Sequence, residues 1–253
     1  MELGLPKRLF PILLTIALVS AAGGWADEHP SLDDRLDILF VGNSLTYAND
    51  LPRLVETILQ HGQQEVGRIE MRAHANWGLQ DHWSSRKTHK HLATHKWDFV
   101  VLQQGPSATE GRPSLLRYSA RFADKIRQNG GQPALYMVWP SASRSSDFDG
   151  VIDSYRSAAE QVDGILFPAG EAWQLAWNQD PDLPLYGPDR FHPSGLGTLL
   201  AALVISDQLA KGILDEPGLR SALIEMGAPA NRLQIMVEAA QEANARFRRG
   251  TRP

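Results

Sequence analysis

Four short stretches of the chain carry residue types that could perform nucleophilic chemistry. The first, "FVGNSLTY" at 40–47, sets Ser44 two residues past a glycine, where an apolar run ends. Gly42 lets the backbone turn sharply, and a serine after such a turn presents its hydroxyl at the end of a strand, where open α/β sheets bind their ligands. The second, "YGPDRFHPSG" at 186–195, holds Asp189 and His192 three residues apart in a Gly/Pro-rich loop. At that spacing the carboxylate can accept from one ring nitrogen and fix the tautomer, which leaves the other nitrogen to act as a base. The third, "AHANWGLQDHW" at 73–83, contains Gly78, whose backbone N–H no side chain of its own would screen. Such donors are what an oxyanion needs. The fourth, "VVLQQGPSA" at 100–108, brings Gln103, Gln104, Gly105 and Ser107 to the end of another apolar run, where one polar side chain could add a further donor.

Other candidates point away from chemistry. His82, His89, His91 and His95 lie in "HWSSRKTHKHLATHKW", and His91 and His95 have the i, i+4 spacing of a helical metal pair. No Glu stands between them in an H-E-x-x-H pattern, and Lys87, Lys90 and Lys96 crowd the stretch with like charge. It reads as a solvated basic helix face. His82, just past Gly78, is the exception and is expected to face the cleft. Asn49-Asp50 reads as a helix cap. Trp77, Trp83, Trp139, Tyr47, Tyr186 and Phe191 flank the site in sequence as core or rim aromatics. "GLGT" at 195–198 follows a loop and lacks the third glycine of a dinucleotide fingerprint.

The elements that must position these residues alternate between two periods. Strand-like runs are expected at 36–41, 68–74, 98–103, 134–139 and 164–169, three of them nearly continuous apolar stretches, as in parallel strands covered on both faces. Between them, "LPRLVETILQHG" begins after Asp50, an N-cap by type, and ends at Gly62; "PSLLRYSARFADKIRQNGG" opens with Pro113 and closes with Gly130-Gly131. This alternation predicts an α/β fold with helices on both faces of a parallel sheet, a three-layer α/β/α sandwich. Two further helices, at 217–226 and about 231–248, follow with no strand between them. They are expected to form a C-terminal extension over 216–253, packed on the main domain at 33–215.

Composition narrows the function. Residues 1–26 read as a secretory signal peptide: Lys7 and Arg8, then "LFPILLTIALVS", then small residues. The chain should therefore be secreted or periplasmic, with no stable membrane anchor once the signal is cleaved. It has no cysteine, which excludes disulfides, a thiol nucleophile and thiolate metal sites. The formal net charge is −4 over 253 residues, and removing the signal (Glu2, Lys7, Arg8, a net +1) leaves about −5, with no basic stripe of the kind nucleic-acid binders use.

The ordered set of stretches resembles the SGNH (GDSL-like) hydrolase superfamily over about residues 36–211. Gly42-Asn43-Ser44 matches the family's nucleophile block, Gly78 its second block, and Asp189-x-x-His192 its last. The resemblance implies a flavodoxin-like five-stranded sheet, order 2-1-3-4-5, with Ser44 and the 103–107 stretch flanking the topological switch point. It implies a serine esterase with Ser44, His192 and Asp189 as catalytic residues and no cofactor or metal. The oxyanion hole would take the N–H groups of Ser44 and Gly78 plus one side chain. The family's third block is Gly-x-Asn-Asp; here Gly105-Pro106-Ser107 stands in that place, so Gln104, with Ser107 second, is expected to supply the Asn's donor. Residues alternate along a strand, so only one of Gln103 and Gln104 should point at Ser44. The expected substrate is a small-molecule or carbohydrate ester with a short acyl group, such as an acetyl. A lysophospholipase or thioesterase specificity, and a carbohydrate-binding protein without turnover, are the alternatives.

Overall fold

The computed structural model describes Met1 and residues 35–247, so the expected signal peptide lies outside the described residues. Five parallel strands form one sheet: β1 (Leu36–Gly42), β2 (Val66–Ala73), β3 (Phe99–Leu102), β4 (Gln132–Tyr136) and β5 (Ile165–Phe167), in the order β2-β1-β3-β4-β5. β1 is an interior strand buried on both faces, Ile38 to Val41 having no exposed surface, which is why it reads as an unbroken apolar run. β2 is an edge strand, and its charged Arg68, Glu70 and Arg72 suit an edge that must not pair further. The chain leaves β1 toward β2 and crosses back to β3 on the other side, so Gly42 and Leu102 end neighbouring strands at the switch between the two directions.

The helices are α1 (Ser44–Tyr47), α2 (Leu51–His61), α3 (Leu79–Ser84), α4 (Arg86–Thr94), α5 (Arg112–Gln128), α6 (Phe148–Gln161), α7 (Ala169–Gln179), α8 (Gly195–Leu209), α9 (Leu219–Glu225) and α10 (Ala230–Phe247). With the sheet they make the three-layer α/β/α sandwich. α2, α7, α8 and α10 pack among themselves, as do α3, α5 and α6. α8 is apolar around its circumference and buried from Gly197 to Asp207, the pattern of a helix covered on all sides. Part of that cover is α10, which packs on both α7 and α8. Asn244 donates to Val204 O at 3.1 Å and to Asp207 Oδ2 at 2.8 Å, and Arg246 pairs with Glu171 at 2.6 Å. Among the described residues no helix is long and apolar enough to cross a membrane.

Strand boundaries differ from the expected ones at several ends: β2 starts at Val66 rather than at 68, and β5 ends at Phe167 rather than at 169. β4 ends at Tyr136 rather than at 139, although Met137, Val138 and Trp139 stay buried. Trp139 stacks on Trp173 with ring centroids 3.6 Å apart, and the chain there is already turning toward the site.

Candidate active site

Ser44 opens α1 immediately after β1. Gly42 is required for the turn: a Cβ there would overlap Thr46 Oγ1 and Gln103 Oε1. Its carbonyl accepts from His74 N at 3.1 Å and faces His82 Nε2 at 2.8 Å. Asn43 caps α1, its Oδ1 accepting from Leu45 N at 3.1 Å, while its Nδ2 donates to Trp77 O at 3.0 Å. Gln103 lies beneath, fully buried. Its Oε1 accepts from Asn43 N at 2.8 Å and Thr46 Oγ1 at 2.7 Å, and its Nε2 donates to Gln104 O at 2.5 Å. The Ser44 N–H, at the first position of α1, keeps no partner among the described residues, as expected of a helix's first turn.

His82 does not face the cleft. It is buried under the turn, bonded to the Gly42 carbonyl and, at 3.3 Å, to Thr88 Oγ1, and burial pulls its pKa down to about 4. The neutral ring donates from Nε2 to the carbonyl and accepts from the threonine at Nδ1. In the basic stretch His91 bonds Glu70 at 2.5 Å and His89 bonds Trp83 O at 2.6 Å.

One cleft of about 560 Å³ holds Ser44, Gly78, Gln104 and Ser107 in its wall, together with Trp77 and Phe191. Two of the expected oxyanion donors are committed elsewhere in this state. The Gly78 N–H donates to Asp81 Oδ2 at 2.8 Å, the N3 carboxylate reaching back to the N-cap of α3, although a glycine has no side chain to complete a capping box. Gln104 is the one of the two glutamines that reaches Gly78, but its amide hydrogens go to Ser107 Oγ at 2.8 Å and Gly111 O at 3.1 Å. Its Oε1 accepts from Leu79 N at 3.3 Å, which fixes the amide's orientation. Ser107 passes its own hydrogen to Gly105 O at 2.8 Å. The buried Tyr155 hydroxyl donates to Gln104 O at 2.7 Å, and burial drives its pKa far up, so it stays a neutral clamp. Asn76 and Gln80 also line the cleft, and their side-chain amides have no partner among the described residues. Nothing in spacing or strand position singled them out; the left-handed backbone of Asn76 (φ 62°) is set by the loop.

Asp189 and His192 meet as their spacing suggested. Oδ2 lies 2.5 Å from Nδ1, while Oδ1 accepts the backbone N–H groups of Phe191 at 3.0 Å and His192 at 2.9 Å. The histidine bond first, and the two backbone bonds after it, hold the Asp189 pKa down at about 2. Both side chains are solvent-exposed, at 52% and 39%. No hydrogen bond joins Ser44 Oγ to His192 in this state.

What ties the two loops together is Asn49, read from sequence as part of a helix cap. Asn49 and Asp50 instead take consecutive left-handed conformations (φ 51° and 55°), and Asp50 occupies the N-cap position of α2 without bonding there. Asn49 Nδ2 points away from α2 to Pro193 O (3.0 Å), Ser194 O (3.2 Å) and Thr198 Oγ1 (2.8 Å). From the other side the loop after β4 holds the histidine loop. Trp139 Nε1 donates to Phe191 O at 3.0 Å, Tyr186 Oη to Pro140 O at 2.7 Å, and Ala142 N to Arg190 O at 2.9 Å.

Solved structures share this architecture. A Slackia heliotrinireducens protein, classed by inference as an SGNH hydrolase, superposes with a TM-score of 0.61 at 25% identity, covering 70% of this chain and 100% of its own. A DUF4886 family protein from Bacteroides uniformis does so with a TM-score of 0.60 at 18% identity, covering 84% and 94%. An acetylxylan esterase from Geobacillus stearothermophilus follows with 0.51 at 13% identity, covering 70% and 94%. No protein-family model and no curated protein sequence matches the chain. Sheet order, helix layers and these neighbours together give the chain the fold of the SGNH (GDSL-like) hydrolases, the superfamily its motifs resemble.

Proposed function

We propose that this chain is an exported serine ester hydrolase in which Ser44 attacks the ester carbonyl, His192 takes the serine proton and Asp189 orients His192. The observation that carries the reading is the Asp189–His192 pair. A 2.5 Å bond to Nδ1, with the other carboxylate oxygen held by two backbone N–H groups, favours a proton on Nδ1 and leaves Nε2 as the acceptor. Asn49 straps that loop to the segment after α1, so the remaining step is the tightening that catalytic hydrogen bonds undergo when substrate binds.

The tetrahedral oxyanion would meet the Ser44 N–H first. The Gly78 N–H becomes a second donor when Asp81 swings out of its cap. Gln104 contributes by holding Leu79, Ser107 and Gly111 in the cleft wall rather than by donating. Collapse of the intermediate expels the alcohol with the proton from His192 Nε2. Water, activated at the same nitrogen, then hydrolyses the acyl-enzyme. A short acyl ester on a carbohydrate suits the polar wall of Asn76, Gln80, Ser107 and Ser114, and two structural neighbours are named as acetylxylan esterases.

Wild-type and Ser44→Ala chains assayed on 4-nitrophenyl acetate, butyrate, octanoate and palmitate test this directly. Turnover should be highest on the acetate and vanish in the variant. Preference for the palmitate would move the assignment to a lysophospholipase or thioesterase specificity. Binding of sugar with no turnover of any ester would support a non-catalytic carbohydrate-binding protein, the reading that the committed Gly78 and Gln104 donors favour.

A further inference from the structure

A second cavity, of about 190 Å³, adjoins the cleft and shares Pro106, Ser107, Gly111 and Phe191 with it. We propose that this cavity receives the alcohol half of the ester, and that the alcohol is polyhydroxylated. The assignment rests on the esterase reading, and the direction of the reaction sets the geometry. The leaving oxygen must collect its proton from His192, so the group it carries lies on the histidine side of Ser44. Phe191 precedes His192, meets its ring edge-on at 5.2 Å, and forms part of the cavity wall. The cavity therefore lies where the alcohol goes.

The wall decides what kind of alcohol fits. Beside Phe191 stand Thr109, Glu110, Ser141, Arg144 and Asp147. Arg144 and Asp147 pair at 2.7 Å, whereas Glu110 has no ion-pair partner among the described residues. An alkyl chain would take water from these groups and return no hydrogen bond, which is unfavourable. A phosphate-bearing headgroup would face two carboxylates against one guanidinium, already engaged. A sugar ring offers hydroxyls that both donate and accept, and an apolar face for Phe191. The cavity is also pre-formed, because the Trp139, Tyr186 and Ala142 bonds that hold the histidine loop hold its rim as well. Its size admits one ring, with the rest of a longer chain extending into solvent.

The test compares mono-acetylated xylobiose, 4-nitrophenyl acetate and decyl acetate on wild type, Glu110→Ala and Arg144→Ala. In each variant the ratio of kcat/KM for the sugar ester to that for the aryl ester should fall about tenfold, through KM, the size expected for one lost hydrogen-bonding group. A ratio unchanged within about twofold, or preference of the wild type for decyl acetate, would overturn the cavity assignment and leave the esterase reading standing. Calorimetry of xylobiose on Ser44→Ala, with and without Glu110→Ala, separates the two claims. If the wild type hydrolyses no ester yet Glu110→Ala weakens xylobiose binding, the esterase reading fails and the sugar site holds. If there is neither hydrolysis nor binding, both fall.

Discussion

Ser44 and His192 sit at the ends of two loops that are tied down differently. Apart from Ser44 itself, the polar groups that shape the serine turn are bonded within the protein: Gln103 under Asn43 and Thr46, His82 and His74 on the Gly42 carbonyl, Asn43 across to Trp77. The histidine loop carries the Asp189 and His192 side chains exposed, with Arg190 in a left-handed conformation between them (φ 60°). It is held from outside, by Asn49 on one flank and by the loop after β4 on the other. A perturbed turn should therefore register first as lost stability, because a buried group left unsatisfied is costly. A perturbed loop should register as lost turnover in a chain that still folds.

The largest effect sharpens the loop half. Asp189→Asn should lower kcat by about 10³-fold, somewhat less than the roughly 10⁴ of a Ser-His-Asp template, with an unchanged melting curve because the residue is exposed. Since Asp189 ionises with a pKa near 2, its orienting charge persists through mildly acid conditions, and acid loss of activity above pH 4 should track other groups. A coincident fall in stability would contradict the division between the two regions.

His82 makes the turn half testable by pH. Its folded pKa of about 4 lies below the ordinary 6.5. As pH falls through that window, the unfolded chain takes up a proton that the folded chain refuses. Stability should hold above pH 6.5 and decline toward pH 4 by up to roughly 3 kcal/mol from this group. His82→Gln, which can still donate to the Gly42 carbonyl, should lose measurably less over the same range in urea titrations. Parallel pH profiles for the two proteins would show that His82 is not the sensitive group.

Two smaller substitutions set the regions side by side. Gln103→Ala leaves the Asn43 N–H and the Thr46 hydroxyl without their acceptor and should cost about 2 kcal/mol, or roughly 4–8 °C in Tm. Asn49→Gly removes the strap between the loops and keeps the left-handed backbone of that position (φ 51°). It should lower kcat about tenfold, the worth of one to two hydrogen bonds, with KM and Tm little changed. Calorimetric melting with kinetics on 4-nitrophenyl acetate reads both. If Asn49→Gly melts early and keeps full turnover, the strap belongs to the fold and not to the site.

How legible each region was follows from the same difference. The turn announced itself locally, through an unbroken buried strand running into Gly42-Asn43-Ser44, and the Asp-x-x-His pair met because its partners are three residues apart. Strand alternation said that Gln103 and Gln104 face opposite ways, but not which way each faces, since both faces of β3 are buried. The occupied Gly78 N–H could have been read, because Gly78 followed three residues later by Asp81 is a capping pattern. Asn49 could not. Its partners are about 145 residues away in the chain, and Asn before Asp ahead of an apolar helix has the local form of a cap. Long-range bonds from side chains in left-handed positions leave no periodic trace.

The central claim is that Ser44 alone carries an activated hydroxyl. Incubating the folded protein with a fluorophosphonate and mapping the adduct by peptide mass spectrometry tests it directly, because an activated serine reacts far faster than an ordinary one. A single adduct on the peptide containing Ser44, absent from Ser44→Ala and strongly slowed in His192→Ala, is the result expected here. Labelling that persists in Ser44→Ala, or that falls on another serine, would contradict the account.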